Sequence, residues 1–259
     1  MMRKSVPPKV PHPSKCASLA DLQAALGDFL SPAKLLENPK PPTECATATG
    51  EKKILEKIFP HGLPTGELIE CLYRGSGCST LALCLARTAS RDGRAIAVID
   101  PSSQFYPHPA VALGIEPQQL VIVRPARGAE EMWALDHAIR CRGLAAVLWR
   151  GERLALRHLR RLQLACEKYD TLGILLRPQK IARQLTAART RLRVEAIDAI
   201  QRTSAAPQRK TRNLSLFFRH RLRVERLRGA HLAAGNGIEL EIDYESGTFR
   251  QAAPLPLAS

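Results

Sequence analysis

Apolar positions change period three times along this chain. Leu19, Leu22, Leu26, Phe29 and Leu30 recur at helical spacing, which predicts an amphipathic helix over about 18–30 that ends at Ser31-Pro32. From Glu67 onward, short apolar runs alternate with amphipathic ones. Strands are predicted at 67–73, 94–100, 120–124, 144–149 and 171–176, and helices at 79–90, 129–142 and 154–168. Met132, Leu135, Ala138 and Ile139 make the apolar face of the second of these helices. Strand and helix in this alternation predict an α/β fold with a mostly parallel sheet flanked by helices. The first strand–helix–strand unit, 67–100, is long enough for a right-handed crossover.

After Arg177-Pro178 the period becomes 2. Residues 189–195 alternate basic and apolar, which predicts an exposed strand near a sheet edge. Residues 216–227 and 238–244 alternate as well, the first with arginine between its apolar positions and the second with acids. They predict C-terminal antiparallel strands, with Arg221, Arg223 and Arg226 opposite Glu239, Glu241 and Asp243. Each such pair contributes roughly 0.2–1 kcal/mol. Residues 204–212 read as a loop and Glu245-Ser-Gly-Thr as a turn. The stretches 1–15 and 37–50 are Pro-rich and lack an apolar period. The expected organisation is a flexible segment at 1–50 carrying the one helix, an α/β domain at 51–250 and a tail at 251–259.

Composition adds a core and a charge. The 259 residues are 45% hydrophobic and carry a net charge of +15. Residues 140–228 hold 23 of the 39 Lys and Arg but 6 of the 24 Asp and Glu, so the whole excess lies there. Such a block suits a polyanion such as DNA, or an acidic protein surface, and its plainer reading is a solvated basic face. No apolar run approaches a membrane span and the start lacks a signal-peptide core, so a cytoplasmic protein is expected. The seven cysteines form no CxxC pair, so reduced thiols and no metal site are expected.

The stretch Leu72–Leu83, LYRGSGCSTLAL, sits where a phosphate-binding loop would sit, between a strand and a helix. A working loop needs glycines that open backbone N–H groups to phosphate, a lysine for the β/γ charge and a hydroxyl for Mg²⁺. Gly75, Gly77, Ser79 and Thr80 are the candidates for these places, but Cys78 stands at the lysine position and Leu72 at the first glycine. A thiol does not replace a cation, and Arg74 is the nearest one. ATP is therefore not expected as a cofactor, and the plainer reading is a helix-entry turn kept for packing. Hydrolytic groups are missing too. The strand at 144–149 ends in Trp149-Arg150, and Asp100 is followed by Pro-Ser-Ser-Gln with no glutamate two residues on. No catalytic residue is assigned and no enzyme is expected.

The segment GELIECLYRGSGCSTLALCLARTASRDGRAIAVIDPSSQFYPHPAVALGI resembles the RecA core. Within that superfamily the chain is more similar to the ImuA family of accessory proteins. Val98-Ile-Asp-Pro101, Tyr106-Pro107, Ala112-Leu-Gly114, Trp133-Ala-Leu135, Leu175-Leu-Arg-Pro178 and the twice-repeated Arg-Leu-Arg-Val-Glu carry that likeness. The resemblance implies a RecA-like fold and a non-catalytic part in SOS-induced translesion synthesis. It also implies RecA, ImuB and an error-prone DnaE-type polymerase as partners. The departures at Leu72, Cys78, Trp149 and after Asp100 remove ATP hydrolysis from what is carried over. Two alternatives remain: a SulA-like division inhibitor binding FtsZ, and a weak ATP-dependent DNA-binding protein using Gly75, Gly77 and Ser79. Phe217 and Phe218 beside Arg219, His220 and Arg221 could stack bases between cations, or be core residues of a strand.

Overall fold

Runs that are apolar on both faces can be buried only in the middle of a sheet, and that is where they lie. A computed structural model describes residues 30–31, 54–197, 219–229, 237–243 and 248–252. Its strands are β1 (Leu30–Ser31), β2 (Leu68–Arg74), β3 (Ala95–Ile99), β4 (Leu120–Val123), β5 (Leu144–Arg150), β6 (Leu172–Pro178), β7 (Thr190–Ile197), β8 (Arg219–Arg228), β9 (Ile238–Asp243) and β10 (Thr248–Gln251). They form one sheet in the order β1-β4-β3-β5-β6-β2-β7-β8-β9-β10. The pairs from β4 through β7 are parallel. Those of β7 with β8, β8 with β9 and β9 with β10 are antiparallel, as is β1 with β4.

Helices α1 (Cys78–Ala89), α2 (His108–Ala112), α3 (Ala129–Ile139) and α4 (Leu156–Tyr169) cover the sheet. α1 packs Leu81, Cys84 and Leu85 on one face, together with Ile54 and Phe59 from the segment just before β2. α3 and α4 pack Leu135, Ile139, Leu159 and Leu162 on the other. The C-terminal strands belong to the same core, since Leu222, Val224, Leu240 and Ile242 are buried in the α1-side cluster. The expected α/β architecture, mostly parallel with antiparallel C-terminal strands, is the one observed.

Four expectations differ from the structure. Leu30, placed at the end of a helix, is in β1 and pairs with Val123 on the β4 edge, while residues 18–29 lie outside the described residues. β7 is not an exposed edge strand. It sits between β2 and β8 with Arg191, Leu192 and Val194 buried. Its arginines read as solvent-facing, yet Arg191 is matched by a carboxylate from β2. Of the expected cross-strand partners, Arg221 opposes Glu241 and Arg223 opposes Glu239, whereas Arg226 opposes Leu192. The β8–β9 pairing ends at Val224 opposite Ile238, so Arg226 lies beyond the reach of β9. α2 and β10 were not expected, because five and four residues are too few to show a period. The expected loop at 204–212, the turn at 245–248 except Thr248, the two phenylalanines at 217–218 and the linker at 37–50 lie outside the described residues.

Candidate functional site

The glycine turn joins β2 to α1. Gly75 and Gly77 have φ of +82° and +84°, the left-handed region that only glycine enters cheaply. Gly77 is the N-cap of α1, and its carbonyl accepts the Leu81 N–H at 3.0 Å. Gly75 and Ser76 are exposed, but β7 and β8 come close on the side where a Cβ would point. A Cβ on Gly77 would lie 2.5 Å from Leu222 Cδ2 of β8, and one on Gly75 would lie 3.0 Å from Ala196 Cβ of β7. The glycines thus let the C-terminal strands approach the turn. Cys78 is 5% exposed and contacts Cys71 on β2. The Cys78 contact, reinforced by burial, holds the Cys71 thiol well above its ordinary pKa. The side chain at the lysine position therefore points into the core. Arg74 is exposed at the end of β2.

Of the four predicted residues, Ser79 and Thr80 turn toward a neighbouring cavity of about 300 Å³ at the carboxyl ends of β3 and β5. This is where ligands usually enter open α/β sheets. Phe105, Tyr106, Pro109 and Trp149 form its apolar wall. Asp100 also lines it, but its carboxylate organises the 101–105 loop. Oδ1 accepts the Gln104 N–H at 3.0 Å and Oδ2 accepts the Phe105 N–H at 2.9 Å. Arg124 Nε stands 3.8 Å away. Trp149, at the strand end where an acid would polarise a water, is buried and donates Nε1–H to Glu131 at 2.7 Å. Asp100 is the one carboxylate on this cavity among the described residues.

A second crevice of about 550 Å³ continues from the first, sharing Ser102, Gln104, Trp149 and Arg150. It adds Arg127, Arg153 and Lys180. Lys180 is held by Glu152 at 2.8 Å, and the Arg150 guanidinium lies 4.9 Å over the Tyr73 ring. Arg127, Arg150 and Arg153 are exposed and form no ion pair among the described residues. Sequence reasoning missed this cluster. The available signal was position: Arg127 follows the end of β4 and Arg150 is the last residue of β5.

Much of the basic block is satisfied internally. Glu70 of β2 meets both Arg177 and Arg191, the latter at 2.7 Å, and all three are buried. Arg140 and Arg161 share Asp136 at 2.9 and 3.1 Å. Arg193 meets Glu225 at 2.6 Å, Arg189 meets Glu167 at 2.8 Å, and Arg221 meets Glu241 at 3.7 Å. The cations left facing solvent include those of the crevice and Arg157 and Arg160 of α4. Among the described residues no cluster of three or more His, Cys, Asp or Glu could hold a metal, and no helix is long and apolar enough to cross a membrane.

No protein-family model matches the chain. The RecA protein of Rickettsia canadensis is 31% identical over 133 residues, which is 51% of this chain and 38% of that protein. RecA of Rhodopirellula baltica is 28% identical over 102 residues, 39% of this chain and 27% of the relative. RecA of Streptomyces avermitilis is 26% identical over 133 residues, 51% of this chain and 35% of the relative. The matches thus span about a quarter to two fifths of the length of these relatives. Among solved structures, the RadB recombinase superposes with a TM-score of 0.56 at 15% identity, covering 80% of this chain and 100% of that one. The chain therefore carries RecA homology over about half its length and has the RecA/RadB-like α/β fold.

Proposed function

We propose that this protein is a non-catalytic, RecA-like accessory factor of SOS-induced translesion synthesis that links RecA with ImuB and a DnaE-type polymerase. The observation that carries the non-catalytic part is the missing cation. Cys78, at the lysine position, is buried against Cys71 and points into the core. A phosphate cradle needs a cation beside its N–H groups, and a buried neutral thiol supplies none. The RecA homology and the residues similar to the ImuA family support the rest.

The test is capture of purified RecA and ImuB by the full chain, with and without ATP, beside an ATPase assay with single-stranded DNA. Capture that ignores ATP, with no turnover, is the expected result. No capture of either partner would overturn the linking role, and DNA-stimulated turnover would overturn the non-catalytic one. Truncating the chain before β8 is unsuitable, because Leu222 and Leu240 would leave the core. A second reading, nucleotide-dependent DNA binding, rests on Ser79 and Thr80 facing a cavity that also holds Arg150. ATP-enhanced affinity for DNA would favour it. No described residue favours the division-inhibitor alternative.

A further inference from the structure

The crevice at the ends of β3 and β5 has two halves of different chemistry. One is an apolar cavity walled by Phe105 and Trp149, with Tyr106 at its side 69% exposed. Tyr106 stands at the mouth of this cavity beside His108, so an apolar group entering it would cover the ring. The other half carries Arg127, Arg150 and Arg153, three exposed guanidinium groups that form no ion pair among the described residues. We propose that this crevice docks an acidic peptide segment of a partner protein, with an aromatic or aliphatic side chain in the cavity beside Tyr106 and its carboxylates on Arg127, Arg150 and Arg153.

Charge complementarity selects the acidic segment, and planar guanidinium groups suit carboxylates bidentately. Glu131 and Glu152 line the same crevice, but they are engaged by Trp149 Nε1–H and by Lys180. A short acidic peptide can set its few carboxylates on the arginines and keep them clear of these two acids, whereas a phosphodiester backbone carries a negative charge at every unit and cannot. The two halves lie side by side and share Trp149 and Arg150, so one short segment can fill both. This inference supplies a recognition chemistry for the linking role proposed above and rests on it only for the identity of the partner.

The probe is a fluorescein-labelled peptide, acetyl-Gly-Glu-Asp-Phe-Asp-Glu-Gly, titrated with the full chain and followed by anisotropy. Saturable binding is expected. It should weaken about tenfold when the peptide Phe becomes Ala, when its acids become lysines, and in Arg153→Glu, Arg127→Glu or Tyr106→Ala protein. Arg142→Glu, an exposed cation before β5 at the opposite end of that strand, makes the same change in net charge and should bind as the parent does. The crevice residues changed are at the surface, and thermal midpoints identify any variant that fails to fold. Three results would overturn the inference: no saturable binding, equal loss in Arg142→Glu and Arg153→Glu, or displacement of the peptide by oligothymidylate at lower concentration than by unlabelled peptide. RecA and ImuB capture is run on the same preparations. Capture without peptide binding removes the crevice inference alone, and peptide binding without capture removes the linking role alone.

Discussion

Replacing Glu70 with glutamine tests the most concentrated electrostatic feature of the core. Glu70 and Arg177 are fully buried, and Arg191 is 6% exposed. The carboxylate accepts from Arg177 Nη1 on one oxygen and from Arg191 Nε at 2.8 Å on the other. Other guanidinium hydrogens reach main-chain oxygens: Arg177 bonds Glu152 O, and Arg191 bonds Ala182 O and Gln184 O at 2.9 and 3.0 Å, while Arg177 Nε has no hydrogen-bond partner among the described residues. The triad therefore ties two loops, near 152 and 182–184, to the central strand. Glutamine keeps the shape but leaves two cations buried with no counter-charge and turns an amide donor toward one of them. Breaking a buried pair in this way costs about 3–5 kcal/mol. That is a large part of the roughly 5–15 kcal/mol holding a typical domain. For a domain of this size it corresponds to a fall of roughly 6–20 °C in melting temperature. The assay is urea unfolding and thermal melting followed by circular dichroism. Replacing all three residues with apolar ones of similar volume should recover most of the loss, because the desolvation cost disappears with the charges. A Glu70→Gln protein within about 1 kcal/mol of the parent would refute the reasoning, since an uncompensated buried cation cannot cost so little.

Further outcomes follow from the same geometry. Burial lowers the pKa of His137, which stacks on Trp133 and donates Nδ1–H to the Trp133 carbonyl at 2.9 Å, with Asp136, Arg140 and Arg161 nearby. Its neutral form is favoured by folding, so its contribution is complete above about pH 6.5 and is lost as pH falls below it. The stability difference between the parent and His137→Phe should shrink between about pH 7.5 and about pH 5.5 in urea titrations. The thiols of Cys71, Cys78, Cys84, Cys141 and Cys166 are buried, and burial pushes Cys166 up to about 12. None of these five should react with Ellman's reagent until denaturant is added. Cys78→Lys should lower stability and leave MgATP binding undetectable by calorimetry, because the side chain at this position enters the core against Cys71.

The legible parts of the fold were those decided by local composition. β3, β4 and β5 are apolar on both faces, as are β2 and β6 apart from Glu70 and Arg177, and that pattern is enough for a central parallel strand to be recognised. α4 was legible for the complementary reason, since Leu159, Leu162 and Cys166 face in while Arg157, Arg160 and Leu164 face out. β7 misled because its arginines alternate with apolar residues, the signature of a half-exposed strand. The sequence around Arg191 does not contain Glu70, which lies 121 positions away and removes the need for water. β1 was hidden by the opposite effect. Leu30 continues a helical period on its own side of the chain, and only the β4 edge offers it a strand partner.

The candidate site divides along the same line. Gly75, Gly77, Ser79 and Thr80 were found because strand, turn and helix follow one another in the chain. What the turn does was not legible, because left-handed glycines serve two purposes equally well. They open N–H groups to a phosphate, or they let another backbone come close. The residues that make the second use visible, Ala196 and Leu222, arrive from β7 and β8. Net charge is ambiguous in the same manner. Arginines 177, 191 and 193 count toward the basic block yet are matched by acids from other strands, while Arg127, outside that block, joins Arg150 and Arg153 at the crevice. The charge available to a partner is therefore set by strand order, which brings together the ends of β4, β5 and β6, rather than by the run of basic residues along the chain.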